Sequence, residues 1–317
     1  MSSPADFVPI AVTSRSGHDE SVHFGALVVL GTDGAVVESM GNPDVAIFPR
    51  SANKPMQAVA MLRRGLDLPL RLVALVCASH DGLPMHRDGV REILASAGLD
   101  ESALGNVPDY PLDADEARQV VRDGGGANRV QMTCSGKHSG MVATCVRNGW
   151  AHDGYLDLDH PLQLHINDVI DEFTGTSCAV GVDRCGAPAH VMTLTQLARS
   201  YRAIATGAAG PEGARVHEAM TSFPEMVAGP ANDVTRFMRH VPGMLVKDGA
   251  EGVYAVALPD GRAVALKISD GSARARPAVV ISALARVGLD LSDLTPSVSE
   301  PILGRGAPVG SIRSLVP

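Results

Sequence analysis

The 317-residue sequence lacks any apolar run near the ~20 residues that cross a bilayer. Its start, Met1 to Asp6, has no basic region followed by an apolar one, so we expect no secretory signal. Basic residues are also scarce, with 27 Lys and Arg against 35 Asp and Glu, which gives a formal charge of -8. Because nucleic acids and anionic membranes favour basic surfaces, we expect neither as a partner.

Cysteine is sparse, and its pattern is not that of a disulfide framework. The five cysteines are odd in number and scattered along the chain: Cys77, Cys134, Cys145, Cys178 and Cys185. Secreted disulfide scaffolds carry even numbers of cysteines at close spacings. We therefore expect reduced thiols in a cytoplasmic protein.

A phosphate-binding loop is missing as well. The glycine-rich run at 123–128 lacks the preceding strand and the following Lys-Ser/Thr of such loops, so we predict a flexible loop there. We find no repeat, low-complexity segment or clear linker. With 45% apolar residues, the chain is long enough for one large domain or two lobes with a substantial core.

The strand-like patterns lie towards both ends of the chain, and helical patterns dominate between them. The predicted strands are 22–30, 35–38, 45–48, 72–77, 244–247, 252–258 and 263–268. The predicted helices include 86–97, 114–122, 139–147, 162–173, 194–205, 214–222 and 278–287. These patterns predict an α/β fold of the α+β type in a single catalytic domain. Its sheet portion covers about 1–50 plus 243–317, and its mainly helical portion about 51–242.

One segment, from Phe48 to Gly65, combines a turn with a serine and a lysine. The chain turns at Pro49, and the apolar spacing that follows predicts a helix ending at Gly65. Ser51 and Lys54 then share one helical face. A serine hydroxyl needs a neighbouring base to attack a carbonyl, and a neutral lysine at a helix start can be that base. The alternative is a serine N-cap followed by a surface lysine.

Two further stretches carry polar side chains beside apolar runs. Ser79, His80 and Asp81 follow the run at 72–77, where the alternative is an ordinary turn. Lys267 interrupts the apolar strand at 263–268, and strand alternation leaves open whether it is solvated or supplies a second lysine for a second serine.

A third set of residues has donors that suit a metal. Cys134 and Cys185, the carboxylate of Asp183, and either Lys137 or His138 are a donor set that suits a mixed zinc site. The spacing is not that of paired CxxC motifs. Buried structural cysteines are therefore the alternative.

Six motifs together resemble one known family. FPRSANKPMQ, CASHDG, CSGKHSGM, VDRCGAP, KDGAEGV and ALKISDGSARA occur in the same order as the motifs of the rhizobial-type L-asparaginases, also called asparaginase II. The resemblance covers nearly the whole chain. It implies a fold similar to the serine β-lactamases and penicillin-binding proteins, which also place S-x-x-K at a helix start and a lysine on a late strand.

The resemblance implies an L-asparagine amidohydrolase that forms an acyl-enzyme, and a homodimer. Ser51 matches the nucleophile and Lys54 its base, while Ser79 and Lys267 match a second Ser-Lys pair. Cys134, Lys137 and Cys185, with Asp183 beside them, match positions that hold a zinc ion of structural or substrate-positioning role. We further predict that the substrate is contacted by Arg50, His80, Asp81, Asp270 and Gly271.

Two positions depart from the family pattern. Leu83 stands where many members carry Glu, and Pro230-Ala231-Asn232-Asp233 replaces a Gly-Arg pair. Two alternatives therefore stay open. One is a Ser-Lys amidohydrolase acting on glutamine or another small amide. The other is a non-catalytic relative that binds zinc or a ligand.

Overall fold

The structure is a computed structural model that describes residues 3–317. Met1 and Ser2, the start of the segment in which we expect no secretory signal, lie outside the described residues. The chain forms two compact units. The sheet unit comprises the residues up to Ala52, Val191–Ala208 and Arg236–Pro317, and the helical unit comprises Asn53–His190 and Ala209–Thr235. The segment Val191–Ala208, which the sequence-based division assigned to the helical portion, thus belongs to the sheet unit.

Most strands lie in the sheet unit. In chain order they are β1 Val8–Arg15, β2 His18–Leu30, β3 Val36–Met40, β4 Ala46–Ile47, β5 Val180–Val182, β6 Pro188–His190, β7 Met192–Thr193, β8 Leu245–Gly249, β9 Val253–Ala257, β10 Ala263–Ile268, β11 Ile302–Gly304, β12 Ala307–Gly310 and β13 Ile312–Ser314. The short strands β5 and β6 pair within the helical unit.

The helices are α1 Lys54–Arg63, α2 Leu70–Val76, α3 Pro84–Ser96, α4 Ala114–Arg122, α5 Ser135–Arg147, α6 Pro161–Thr174, α7 Leu194–Ala205, α8 Gly210–Ser222, α9 Pro224–Val227, α10 Asp233–His240, α11 Arg276–Ala285 and α12 Thr295–Val298. Among residues 3–317, every helix falls short of the length and hydropathy that a membrane span needs.

A seven-stranded antiparallel sheet organises the sheet unit. Its order is β13-β1-β2-β10-β9-β8, and β3 also pairs with β2. The long strand β2 aligns Ala26 with Lys267 of β10, and β10 aligns Lys267 with Val253 of β9. Strands from both ends of the chain therefore build one sheet, which confirms the predicted fold class.

The centre of this sheet is covered on both faces. Ala26 to Leu30 of β2 are all fully buried, although successive residues of a strand point to opposite faces. The helix α7 packs against β2, β9 and β10, and α11 packs against β10 and β13. Coverage of both faces explains why these strands are continuous apolar runs without alternation.

The helical unit is built around α1 and α2. The helix α1 packs against α5, α6 and α8, and all residues from Lys54 to Leu62 are buried. A helix that is buried on all sides needs apolar residues on all faces, which is unlike the one-sided stripe of a surface helix. Lys54 is the charged exception at its start.

The prediction of a strand at 72–77 is wrong, because residues 72–76 belong to α2 and Cys77 caps its end. This helix begins directly after Pro69 and packs against α3, α5, α8 and α9. Its residues from Leu72 to Val76 are all buried. Periodicity cannot separate a short buried helix from a buried strand, since both appear as an uninterrupted apolar run.

Candidate active site

Ser51 lies in a short 3-10 helix, Arg50–Asn53, which leads directly into α1. Arg50 has φ 54, in the left-handed region that side chains with a Cβ seldom adopt, and such strain is concentrated at functional sites. On the other side of Ser51, the Ala52 carbonyl accepts a 2.7 Å hydrogen bond from the buried Tyr201 hydroxyl. The half-buried Ser51 thus lies between a strained residue and an anchored one.

Lys54, the first residue of α1, is 1% exposed. Its terminal nitrogen Nζ donates to the Ala78 carbonyl, and it lies 3.2 Å from both Ser79 Oγ and Cys134 Sγ. The alternative of a surface lysine is therefore wrong. The structure joins three predicted site residues, Lys54, Ser79 and Cys134, in one buried hydrogen-bonded group.

The segment that carries Ser79 is fixed through its backbone. The N–H groups of Ser79 and Asp81 donate to the carbonyls of Val227 and Ala228, at 2.9 and 2.7 Å. A Cβ built at Gly229, which has φ 150, would lie 1.9 Å from Asp81 Oδ2. A glycine at this position therefore allows the half-buried Asp81 to lie directly against the backbone.

His80 is fully buried and both its ring nitrogens are used within the protein. Nδ1 accepts from the Gly82 N–H at 3.1 Å. Ser135 Oγ donates to the Val130 carbonyl, so His80 Nε2 donates to Ser135 Oγ at 2.8 Å. Burial holds the pKa of His80 well below its usual range, and the charges of His86 and Lys54 act in the same direction. His80 is thus a neutral histidine that supports the segment carrying Ser79.

Three of the predicted metal residues form a second buried group next to Lys54. Cys134, Lys137 and Cys185 are at most 5% exposed, and Lys137 Nζ donates to Cys185 Sγ at 3.3 Å. A hydrogen bond from Cys185 holds the pKa of Cys134 well below its usual range, and the charges of Lys54 and Lys137 lower it further. The same hydrogen bond, together with burial, raises the pKa of Cys185. The pair therefore favours a thiolate at Cys134 and a thiol at Cys185.

The donor chemistry of this group fits a zinc ion. No three His, Cys, Asp or Glu side chains within residues 3–317 are arranged to hold a metal. A metal bound by the two thiols would thus take Lys137, in its neutral form, as the third donor. Two sulfurs and one nitrogen suit zinc, and a thiolate is the form of cysteine that binds it. Burial lowers the pKa of Lys137, but the charges of Cys185, Cys134 and the half-buried Asp183 outweigh it and raise this pKa overall, so a bound ion would have to displace the lysine's proton.

Lys267 lines a pocket of about 620 Å³ in the sheet unit, together with Arg50, Glu251 and Ser269. Its Nζ donates to the Glu251 carbonyl. Burial lowers the pKa of Lys267; the carboxylates of Glu251 and Asp270 oppose this, while the charge of Arg50 adds to it. The structure therefore places this lysine in a pocket and does not leave it fully solvated.

Asp270 and Gly271 follow β10 and have different surroundings. Arg274 Nε donates to His23 Nε2 at 3.1 Å, so His23 Nδ1 donates to Asp270 Oδ2, also at 3.1 Å. A Cβ at Gly271, which has φ 81, would lie 2.6 Å from Glu251 Oε2. His23 and Glu251 were missed as site residues. His23 has no sequence signal, whereas Glu251 lies inside the quoted motif KDGAEGV.

Comparisons with known proteins agree with the motif resemblance. The L-asparaginase II family pattern matches residues 11–314. No curated protein matches the sequence.

Similar solved structures include a β-lactamase from Mycobacterium bovis, with 15% identity, a TM-score of 0.48, and coverage of 84% of this chain and 95% of that one. A candidate β-lactamase from Bacteroides dorei has 15% identity and a TM-score of 0.47, and the match covers 82% of this chain and 93% of that one. The hydrolase EstCE1, with promiscuous acyltransferase activity, has 13% identity and a TM-score of 0.40, and the match covers 88% of this chain and 93% of that one. At such identities the likeness concerns the fold alone.

Proposed function

This chain belongs to the L-asparaginase II family, and on that premise we propose that it hydrolyses the side-chain amide of L-asparagine to L-aspartate and ammonia. The observation that carries the proposal is the buried Lys54, whose Nζ lies 3.2 Å from Ser79 Oγ. A buried lysine hydrogen-bonded to a serine hydroxyl can exchange protons with it, and Ser51, the proposed nucleophile, lies three residues before the same lysine in the chain.

In the proposed reaction, Lys54 in its neutral form takes the proton of Ser51 Oγ, and Ser51 attacks the amide carbon. The C–N bond breaks, the nitrogen receives the proton and ammonia leaves. Water then hydrolyses the acyl-enzyme and L-aspartate is released. Two features support this assignment: Ser51 and Lys54 lie three residues apart in a continuous helical segment, and Arg50 holds a strained backbone before Ser51.

The other predicted residues take supporting roles in this proposal. Arg50 binds the substrate carboxylate, because a guanidinium offers two parallel donors. Ser79 and Lys267 relay protons and support the negative oxygen that develops on the carbonyl. His80 and Asp270, whose side chains are hydrogen-bonded within the protein, position the segments that carry Ser79 and Lys267. Asp81 and Gly271 remain predicted substrate contacts, and the homodimer and the cytoplasmic location remain predictions.

We also propose that Cys134, Lys137 and Cys185 hold a zinc ion. When bound, the ion supplies positive charge that takes up the thiolate charge and orients these side chains. Cys134 links this group to the proposed base, since its Sγ lies 3.2 Å from Lys54 Nζ.

The zinc proposal predicts about one zinc per chain in the purified protein. Cys134→Ser and Cys185→Ser are expected to lose most of it, because each removes a sulfur donor, and a chelator should lower the Tm of the wild type by several degrees. Elemental analysis and a thermal melt measure both effects. Cys178→Ser is the matched control, since Cys178 is half-buried and bonded to Thr174. A wild type that carries no zinc, and whose Tm does not change when zinc is added, contradicts the proposal.

The experiment that tests the proposed function is ammonia release by the wild type from L-asparagine, L-glutamine and D-asparagine at mildly alkaline pH. Turnover of L-asparagine well above the other two is the expected result. Preference for L-glutamine would point to the other small-amide hydrolases, and no turnover of any amide would favour the non-catalytic alternative.

The pH profile should report the proposed proton relay, in which Lys54 is the base and Lys267 passes protons on. Burial lowers the pKa of Lys267. The neutral form of this side chain therefore appears at a lower pH than that of free lysine, whose pKa is about 10.4. Activity depends on neutral lysine, and kcat/KM is therefore expected to rise from about pH 6 to 9. Lys267→Arg, which cannot lose its proton, should reduce activity by roughly tenfold or more. A flat wild-type profile across this range would argue against a lysine base.

A further inference from the structure

The turn that carries Ser51 is fixed by hydrogen bonds to the residue that follows it. The Ala52 N–H donates to the Pro49 carbonyl at 3.1 Å, which closes a turn from Pro49 to Ala52. The Ala52 carbonyl accepts from the Tyr201 hydroxyl at 2.7 Å. Both backbone polar groups of Ala52 are therefore bonded within the sheet unit, and they fix the direction in which the chain leaves Ser51.

The same turn contains a backbone conformation that it would not keep by itself. Arg50, directly before Ser51, has φ 54. A residue with a Cβ persists in this region only where the surrounding structure holds it there. The hydroxyl of Tyr201, which is 149 residues from Ala52 along the chain, is part of that surrounding structure. Without this hydrogen bond the strained turn is freer to relax, and Ser51 moves with it.

Packing alone does not require a tyrosine at position 201. The side chain is fully buried in α7, the helix that packs against β2, β9 and β10. A phenylalanine ring would fill the same space, and a buried tyrosine hydroxyl needs a hydrogen-bond partner. What distinguishes tyrosine from phenylalanine here is therefore the hydrogen bond to the Ala52 carbonyl.

The strand β8 supports the turn at a second point. A Cβ built at Gly249 would lie 2.3 Å from the Pro49 carbonyl oxygen and 3.4 Å from the Ala52 nitrogen. A glycine within a strand often marks such a close approach of another backbone segment. Arg276 Nη1 donates to the Gly249 carbonyl at 3.3 Å. The turn thus lies directly against β8 and is bonded to α7.

We propose that Tyr201 is a positioning residue for Ser51: its hydroxyl holds the Ala52 carbonyl, and with it the strained turn, in the conformation in which Ser51 attacks the amide. This role rests on the proposed function, in which Ser51 is the nucleophile. Tyr201 acts through the backbone of Ala52. Displacement of a reacting atom by about 1 Å can cost about 10²-fold in rate, so the contribution of Tyr201 is a contribution to kcat.

The first experiment compares Tyr201→Phe with the wild type in ammonia release from L-asparagine. We expect kcat to fall by about tenfold or more, and by a larger factor than KM rises, because the nucleophile is misplaced. Ser200→Ala is the matched control. Ser200 is fully buried in the same helix, and its hydroxyl also donates to a carbonyl, that of Gln196 at 2.8 Å. This control should keep kcat within about twofold of wild type, because its hydroxyl is not bonded to the turn.

A second experiment measures the reactivity of Ser51 without turnover. A serine-reactive fluorophosphonate labels the protein, and mass spectrometry follows the peptide that contains Ser51. The rate constant of labelling reports the reactivity of folded molecules, whereas the final extent reports how much protein is folded. We expect Tyr201→Phe to be labelled about tenfold more slowly than wild type and to the same extent.

Gly249→Ala disturbs the turn from β8 and should also slow labelling by about tenfold, since the added Cβ displaces the Pro49 carbonyl. Its control is Gly126→Ala, because a Cβ at Gly126 would meet nothing within 4 Å.

The outcomes separate the positioning role from the proposed function. An active wild type whose kcat and labelling rate both survive Tyr201→Phe overturns the positioning role alone. A lower extent of labelling with an unchanged rate constant has the same consequence, because Tyr201 would then only stabilise the fold. A wild type that releases no ammonia overturns the proposed function, and the positioning role falls with it.

Discussion

Ser51→Ala is expected to lower kcat/KM for ammonia release from L-asparagine by at least roughly two orders of magnitude, as happens when a nucleophile is removed. The loss should appear in kcat, because Ser51 acts on the reacting carbon and the proposed carboxylate contact at Arg50 remains. Little change in Tm is expected, since Ser51 is only half-buried and the adjoining Ala52 carbonyl keeps its bond to Tyr201. Steady-state kinetics and a thermal melt measure the two effects.

The matched control is Ser200→Ala in α7. Ser200 is fully buried, and its hydroxyl donates to the Gln196 carbonyl one turn earlier. This variant removes the same hydroxyl group from a position without chemistry, so it should keep near wild-type activity at a cost of about 1 kcal/mol in the free energy of unfolding. If Ser51→Ala stays within tenfold of wild type, Ser51 is not the nucleophile. Ser79, which lies next to Lys54 Nζ, would then be tested first.

Lys54→Met is expected to reduce kcat by about 10²- to 10⁴-fold, the usual contribution of a general base. Methionine keeps an unbranched apolar stem in the buried site but supplies no nitrogen. The variant removes the donor that the Ala78 carbonyl, Ser79 Oγ and Cys134 Sγ share, and each lost buried hydrogen bond typically costs about 0.5–1.5 kcal/mol. Loss of a buried, poorly hydrated amine offsets part of this cost.

Two measurements separate a lost base from a disturbed fold. Lys54→Arg keeps a cationic donor but cannot act as a base, so it should be as inactive as Lys54→Met even where its Tm is closer to wild type. Added small amines should partly restore the activity of Lys54→Ala, because they can enter the space left by the side chain. Activity of Lys54→Met within tenfold of wild type, with the wild-type pH dependence, would move the role of base to Lys267.

Several elements are determined by local sequence. The predicted boundaries of α4, α7 and β10 agree with the structure at both ends. Both helices carry their own start signals: Asp113 accepts from the Glu116 N–H, and Thr193 forms a capping box with Gln196. Such signals act over three or four residues, and a sequence therefore displays them directly.

Other elements depend on distant parts of the chain. The outer strand β13 pairs with β1, which aligns Ala11 with Ser314, and neither strand was predicted. The helix α2 was mistaken for a strand because its apolar faces match the five helices that surround it, α1, α3, α5, α8 and α9. In both cases the partner that stabilises the segment is remote, so the local pattern alone does not identify the structure.

The sequence by itself determined which residues belong to the candidate chemistry, because the six ordered motifs carry Ser51, Lys54, Ser79, Lys267 and the two thiols. Only the tertiary structure decided their environments. Ser79 and Cys134 are 25 and 80 residues from Lys54 along the chain, yet both lie 3.2 Å from its Nζ. Burial, hydrogen bonds between side chains and the shape of a pocket arise when elements far apart in sequence pack together. A local sequence pattern therefore cannot show them.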